Sequence, residues 1–178
     1  NATQRWVFES HFLRISRLSE RVSYDDKRVT PCKIHSMTFT GLNLTGVVIA
    51  FFVSFISGAI WFGPKTFYPV WMKARGNASG QLTTAQNKPA LLFGGTILGV
   101  LIQTFTVALL VNSLGNNSED FGVTDGALVG FALGVGIAMF ASLSHRLFGG
   151  ENLKVWIIET ANDAINLTIA GAIIAYFN

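Results

Sequence analysis

The chain has 178 residues, half of them hydrophobic and 13% charged, with a formal net charge of +3. A soluble domain carries roughly twice that charged fraction, and a chain of this length builds one domain. Seven of the thirteen basic residues precede Gly41, so the positive balance belongs to one end; with no binding module there and apolar runs beyond it, nucleic acid is excluded as a partner. Cys32 is the single cysteine, which excludes an intrachain disulfide and a thiolate metal site.

Residues 3–22 have the pattern of an amphipathic helix: Phe8, Phe12, Ile15, Leu18 and Val22 recur at helical spacing, and Arg5, Glu9, Arg14, Arg17 and Arg21 fill the other faces. A basic amphipathic helix suits a membrane surface or a partner protein. Its Arg and Ser content also resembles an organelle-targeting segment, against which Glu9 and Glu20 count. Residues 23–40 are polar, and Pro31 prevents a continuous helix there. Residues 1–40 are therefore expected to form an arm and linker.

The first membrane span is expected from about Leu42 to Phe62, uncharged throughout and long enough to cross a hydrocarbon core of about 30 Å. A surface-seeking stretch follows with Phe67, Tyr68, Trp71, Lys73 and Arg75; such aromatic and basic residues favour the headgroup layer, and Trp61, Trp71 and Lys73 are the expected interfacial anchors. A polar loop over 76–89 ends in Pro89. The second span is expected over 90–110, interrupted by Gln103 and threonines, and is followed by a short acidic loop. The third is expected over 126–143, and the fourth over 153–177 after a tight connection through His145, Arg146, Gly149 and Gly150. The fold class is thus all-α: a polytopic membrane protein with four transmembrane helices in a compact bundle over 41–178, plus the N-terminal amphipathic helix. The positive-inside rule favours the loops bearing Lys65, Lys73, Arg75, Lys88, Arg146 and Lys154 on the cytoplasm-equivalent side, while the basic N-terminal arm argues for the opposite orientation. Five Asn-x-Ser/Thr triplets begin at Asn1, Asn43, Asn77, Asn116 and Asn166; two lie in or beside apolar spans, and all are taken as chance matches.

Within lipid, close packing of small residues does much of the work of holding helices together. Gly126, Gly130, Gly134, Ala138 and Ser142 form one such stripe, four residues apart, and Gly46, Ala50, Ser54 and Gly58 another. The second span offers Gly95 and Gly99, and the fourth Ala164, Thr168 and Ala172. These stripes are expected mainly to pack the chain's own bundle, with docking against another subunit as the alternative.

The fourth span carries Glu159, Asn162, Asp163 and Asn166 on one helix face. At about 1.5 Å per residue, Asp163 falls near the bilayer centre, where an ionised carboxylate costs at least about 2.5 kcal/mol on insertion scales. At least one of the two carboxyls is therefore expected to be protonated, or both to face polar partners, with Gln103, His145, Arg146 and Lys154 as the candidates. The structural role open to this face is a hydrogen-bond network between helices or a polar contact to another subunit; the functional one is a proton or ion relay or a ligand site. No metal-ligand spacing joins His11, His35 and His145, and no phosphate loop, serine elbow or cysteine site appears. The string from Glu159 to Asn162 is like the pigment-binding helices of light-harvesting proteins, but the Arg those helices need two residues later is Ala164 here.

The stretch from Val48 to Gly76 resembles the start of a small membrane family, domain of unknown function 1761, through Gly58, Trp61, Phe62 and Pro64 and then Trp71, Met72 and Lys73. Gly126-Ala-Leu-Val-Gly-Phe resembles that family's third span, and Leu147-Phe148 with Leu153-Lys-Val-Trp-Ile-Ile-Glu159 its closing motif. The resemblance covers about residues 45–177 and implies a four-helix membrane bundle with no established reaction. That family often has a His four positions after the acidic residue of the fourth span; here the position is Asp163.

No enzyme activity is expected. The expected role is a non-catalytic accessory subunit of a hetero-oligomeric membrane complex, contacting membrane lipids and other membrane subunits. The basic arm and a first residue other than Met point to an organelle inner membrane, mitochondrial or thylakoid. No cofactor is expected, and a bound lipid or pigment is left open. The alternative is a small proton-coupled transporter or carrier using Glu159 and Asp163.

Overall fold

The computed structural model describes residues 41–76 and 88–178; the expected N-terminal arm over 1–40 lies outside the described residues. Every element among the described residues is helical: α1 (Leu44–Trp61), the short α2 (Tyr68–Ala74), α3 (Pro89–Gly115), α4 (Val123–Phe148) and α5 (Leu153–Phe177). All but α2 are long and apolar enough to cross a membrane, so the chain has the four expected spans. Consecutive spans alternate in direction. One end of the bundle therefore carries α2 and the 149–152 connection (the basic end), and the other carries Asn43, the 116–122 connection and Phe177 (the acidic end).

Asn43 sets the start of α1 and fastens it to the end of α5. Its side-chain oxygen accepts from the Thr45 amide at 3.0 Å, meeting a donor that the helix start leaves open. Its side-chain nitrogen donates to the Phe177 carbonyl at 2.8 Å, one of the acceptors that the α5 terminus leaves open. At the other end of α1 the chain turns at Gly63, where a β-carbon would stand 2.9 Å from the Ile60 carbonyl oxygen. The Thr66 hydroxyl closes that turn on the carbonyls of Ile60, Trp61 (2.8 Å) and Gly63 (3.0 Å). Pro69 lies in the first turn of α2 and Pro89 in that of α3, where a missing N–H costs nothing.

The third span is longer than its apolar run, beginning at Val123 and ending at Phe148. Asp125, in its first turn, accepts from the Gly122 amide at 2.9 Å. Its middle, Ala132–Met139, is wound as a π-helix with i→i+5 bonding, a rare form found often at functional sites. Here it has a packing consequence. On an α-helix of 3.6 residues per turn, a stripe at every fourth residue drifts around the axis by about 40° per step. The wider turn holds more residues and counters that drift, so the stripe stays against α5.

Helix α5 is the centre of the bundle and touches every other helix, α4 and α1 most extensively. Gly126, Gly130 and Gly134 lie against its backbone. A methyl on Gly130 would overlap the Leu167 carbonyl, one on Gly126 would overlap the Gly171 carbonyl, and one on Gly134 would lie 2.6 Å from the Ala164 Cα. Ala138 packs at the margin of the same core. On α1, Gly46 meets Phe177, whose β-carbon would be 2.9 Å from an added methyl, and Ala50 and Ser54 are buried. The hydrophobic core gathers Val47, Ala50, Val107, Ala108, Val111, Leu167, Ala170 and Ile174 in the half of the bundle toward the acidic end.

Helix α3 joins this core through its second half alone, with Thr104, Val107, Ala108, Val111 and Asn112 buried. From Pro89 to Gln103 no residue is buried. Methyls added at Gly94, Gly95 and Gly99 would meet nothing within 4 Å, so among the described residues the small residues of this span pack against no other helix.

Candidate functional site

The polar face of α5 begins about six residues inside its N-terminus, roughly 9 Å along the helix at 1.5 Å per residue. Glu159 stands there, half-buried, with both carboxylate oxygens engaged. Oε2 accepts from Nη2 of Arg146, near the end of α4, and Oε1 accepts from the indole N–H of Trp71 on α2 at 2.9 Å. Arg146 reaches back through Nη1 to Glu151, so one guanidinium serves two carboxylates. A charge-assisted hydrogen bond of this kind is roughly twice as strong as a neutral one. Of the four candidate partners for the carboxyls, Arg146 is the one that meets Glu159; Gln103, His145 and Lys154 are exposed.

An aromatic tier surrounds this ion pair. Trp71 has Phe62 edge-on at 5.8 Å and Tyr68 at 5.9 Å, and the Arg75 guanidinium lies over its ring at 4.7 Å. Trp61 stacks on Phe67 at 4.2 Å and donates its indole N–H to the Ile158 carbonyl at 3.1 Å. Both tryptophans thus turn their N–H groups toward α5, while Lys73 is exposed.

One turn deeper, Asp163 is half-buried with the Asn162 side chain in hydrogen-bonding reach. Asn162 is buried, and its oxygen accepts from the Asn166 amide at 3.2 Å. The Ser54 hydroxyl donates to the Asn166 carbonyl at 3.5 Å, and Gly58 lies beside both asparagine side chains. The small-residue stripe of α1 therefore has two uses: Gly46 and Ala50 pack on apolar surface, and Ser54 and Gly58 accommodate the polar face. Oδ1 of Asn166 is buried with no partner among the described residues.

A second polar junction went unnoticed in the sequence. The Trp156 indole donates to the Met139 carbonyl at 3.2 Å and to the Ser142 hydroxyl at 3.1 Å, and Ser142 donates to that carbonyl at 2.8 Å. Met139 is the last residue of the π-helical stretch, so these donors serve a carbonyl that the irregular winding leaves available.

Taken together, the polar line runs from Glu151 through Arg146, Glu159 and Asp163 to Asn162 and Asn166, and stops about halfway along α5. Beyond it the α1–α5 contact is closed by Val47, Ala50, Ala170 and Ile174. No group of three or more His, Cys, Asp or Glu side chains that would hold a metal ion occurs among the described residues.

A four-span helical bundle with an ion pair at one end of its central helix defines a small integral membrane protein. The chain belongs to the family described as protein of unknown function (DUF1761), whose model matches residues 45–175. No curated protein and no solved structure matches the chain. Trp71 and Glu159, which belong to two separate motifs of the sequence resemblance, are a contacting pair in the fold; reading the two motifs as one site is the signal that would have found it.

Proposed function

We propose that this chain is a non-catalytic accessory subunit of a larger membrane complex. The observation that carries the reading is the first half of α3. From Pro89 to Gln103 the helix has no buried residue, and Gly94, Gly95 and Gly99 leave its backbone bare. Gln103 lies about 21 Å along the helix from Pro89 at 1.5 Å per residue, with its amide exposed. In hydrocarbon, small residues permit close helix contact and polar side chains bond across helices. A neighbouring subunit's transmembrane helix supplies both needs. The blind end of the polar line supports the same reading, because a carrier needs access from both sides of the membrane. An energy-converting organelle membrane, mitochondrial inner or thylakoid, remains part of this proposal on the strength of the basic arm.

The test is the native mass of the protein gently extracted from its own membrane, with co-migrating proteins identified. A large assembly with stoichiometric partners is expected. Gly99→Leu with Gln103→Leu is expected to release the chain from it without unfolding the bundle. A particle of one chain in the wild-type extract overturns the reading.

One observation favours a second reading, a small proton-coupled carrier. Asp163 has no cationic partner among the described residues, and Oδ1 of Asn166 is left open beside it. That reading requires pH-dependent flux in liposomes, lost when Glu159→Gln and Asp163→Asn are combined.

A further inference from the structure

The charges at the two ends of the bundle are unlike. At the basic end Lys65, Lys73, Arg75, Lys88 and Lys154 are all exposed, and none has an ion pair among the described residues. The carboxylates at that end, Glu151 and Glu159, are both committed to Arg146. At the acidic end stand Glu119, Asp120 and Asp125, with no basic residue among the described residues.

Within the basic end, Arg75 is singled out by geometry. Its guanidinium lies over the Trp71 ring at 4.7 Å, and that indole donates its N–H edge to the Glu159 carboxylate. Donation to an anion enriches the electron density of the ring face, which strengthens its attraction for a cation. This contact holds the guanidinium over the ring, and no hydrogen bond or ion pair claims its N–H groups among the described residues. A planar guanidinium with free edges matches the oxygens of a phosphate, and a held one loses less freedom on binding. Lys73 is exposed in the last turn of the same short helix and adds a second positive charge. The aromatic tier of Trp61, Phe67, Tyr68 and Trp71 has the composition of the headgroup layer.

We propose that Arg75, held over Trp71 and assisted by Lys73, binds the phosphate of an anionic phospholipid headgroup in the leaflet at the basic end. The charge surplus there selects anionic over zwitterionic lipid, and the Trp71–Glu159 contact fixes the site to the bundle. This inference does not depend on the accessory-subunit reading.

The test reconstitutes the full chain in vesicles of phosphatidylglycerol and phosphatidylcholine, extracts it gently, and quantifies the co-purifying lipid. The wild type is expected to be enriched in phosphatidylglycerol over the bulk ratio. Lys73→Gln with Arg75→Gln is expected to reduce that enrichment by about five-fold or more, from the loss of hydrogen bonds between the held guanidinium and a charged phosphate. Both side chains are exposed, so the bundle is expected to keep its thermal unfolding profile. Lys65→Gln with Lys88→Gln removes equal charge from the same end and is expected to keep most of the enrichment. A bulk lipid ratio in the wild type overturns the proposal, as does full enrichment in the Lys73/Arg75 variant. Equal loss in both double variants also overturns it, because it assigns the preference to charge alone. Displacement of the lipid by inorganic phosphate would place the affinity on a free anion and overturn the lipid assignment.

Discussion

Trp71 and Glu159, 88 positions apart in the chain, meet through a 2.9 Å hydrogen bond that joins the short surface helix α2 to the central helix α5. Because Arg146 holds the other oxygen of the same carboxylate, α2, α4 and α5 converge on one side chain. Removing that side chain's charge is the most direct probe of what the convergence contributes.

Glu159→Gln is expected to weaken both bonds, leaving Arg146 paired with the exposed Glu151 alone. Trp71→Phe removes one donor to a charged acceptor, a loss of about 1.5–3 kcal/mol where such a bond is sheltered. Since Glu159 is half-buried, the lower part of that range is expected. A double-mutant cycle on thermal unfolding in detergent should give a coupling of about 1 kcal/mol between the two positions. Additive losses would mean that the bond contributes nothing beyond its two side chains.

Glycine substitutions should separate sharply by position. Gly130→Ala places a methyl onto the Leu167 carbonyl, a backbone atom with no freedom to move aside, and forces α4 and α5 apart. A loss of about 3 kcal/mol or more is expected, at the upper end of overpacking costs. Gly136→Ala lies on the same helix with nothing within 4 Å and is expected to be nearly neutral. Unfolding midpoints of the two variants, measured side by side, check the difference.

The contrast between these glycines also marks how far the sequence could be read. The stripe through Gly126, Gly130 and Gly134 was visible as a pattern, and the four spans were visible as apolar runs. The ends of the third span were not, because a helix continues wherever its backbone bonds are made. Asp125 extends it at one end, and the polar turn through Ser144, His145 and Arg146 continues it at the other. The π-helical stretch left no trace in hydropathy, since its residues are as apolar as their neighbours. On the polar face, shared helix spacing brought Glu159, Asn162, Asp163 and Asn166 together in the sequence. Arg146 was one of four candidate partners and Trp71 was not among them; both come from other helices, and no local spacing singles them out. Gly95 and Gly99 show the limit from the other side: the same small-residue pattern as α4, on a face that meets nothing among the described residues.

The π-helical stretch gives a third prediction. Trp156→Phe replaces the indole by a smaller aromatic ring and removes the N–H that serves the Met139 carbonyl and the Ser142 hydroxyl. Faster hydrogen–deuterium exchange is expected at the amides around 137–144, with a stability loss of about 1 kcal/mol for the bond added to the cost of the volume removed at this buried position. If exchange stayed unchanged there, Ser142 alone would be sufficient to hold that carbonyl.

Asp163→Asn separates the two functional readings most cleanly. Asparagine has nearly the same shape and retains hydrogen bonding toward Asn162, while removing a group whose ionised form costs at least about 2.5 kcal/mol at mid-span. If the polar face only holds helices together, the variant should be as stable as the wild type or more so, and should remain in its native assembly. If the face carries protons, the variant should fold equally well and lose pH-driven uptake. Stability therefore serves as the control and flux as the discriminator. The blind end of the polar line at Asn166, sealed by Ala50, Ala170 and Ile174, leads us to expect an intact assembly and no uptake in either protein.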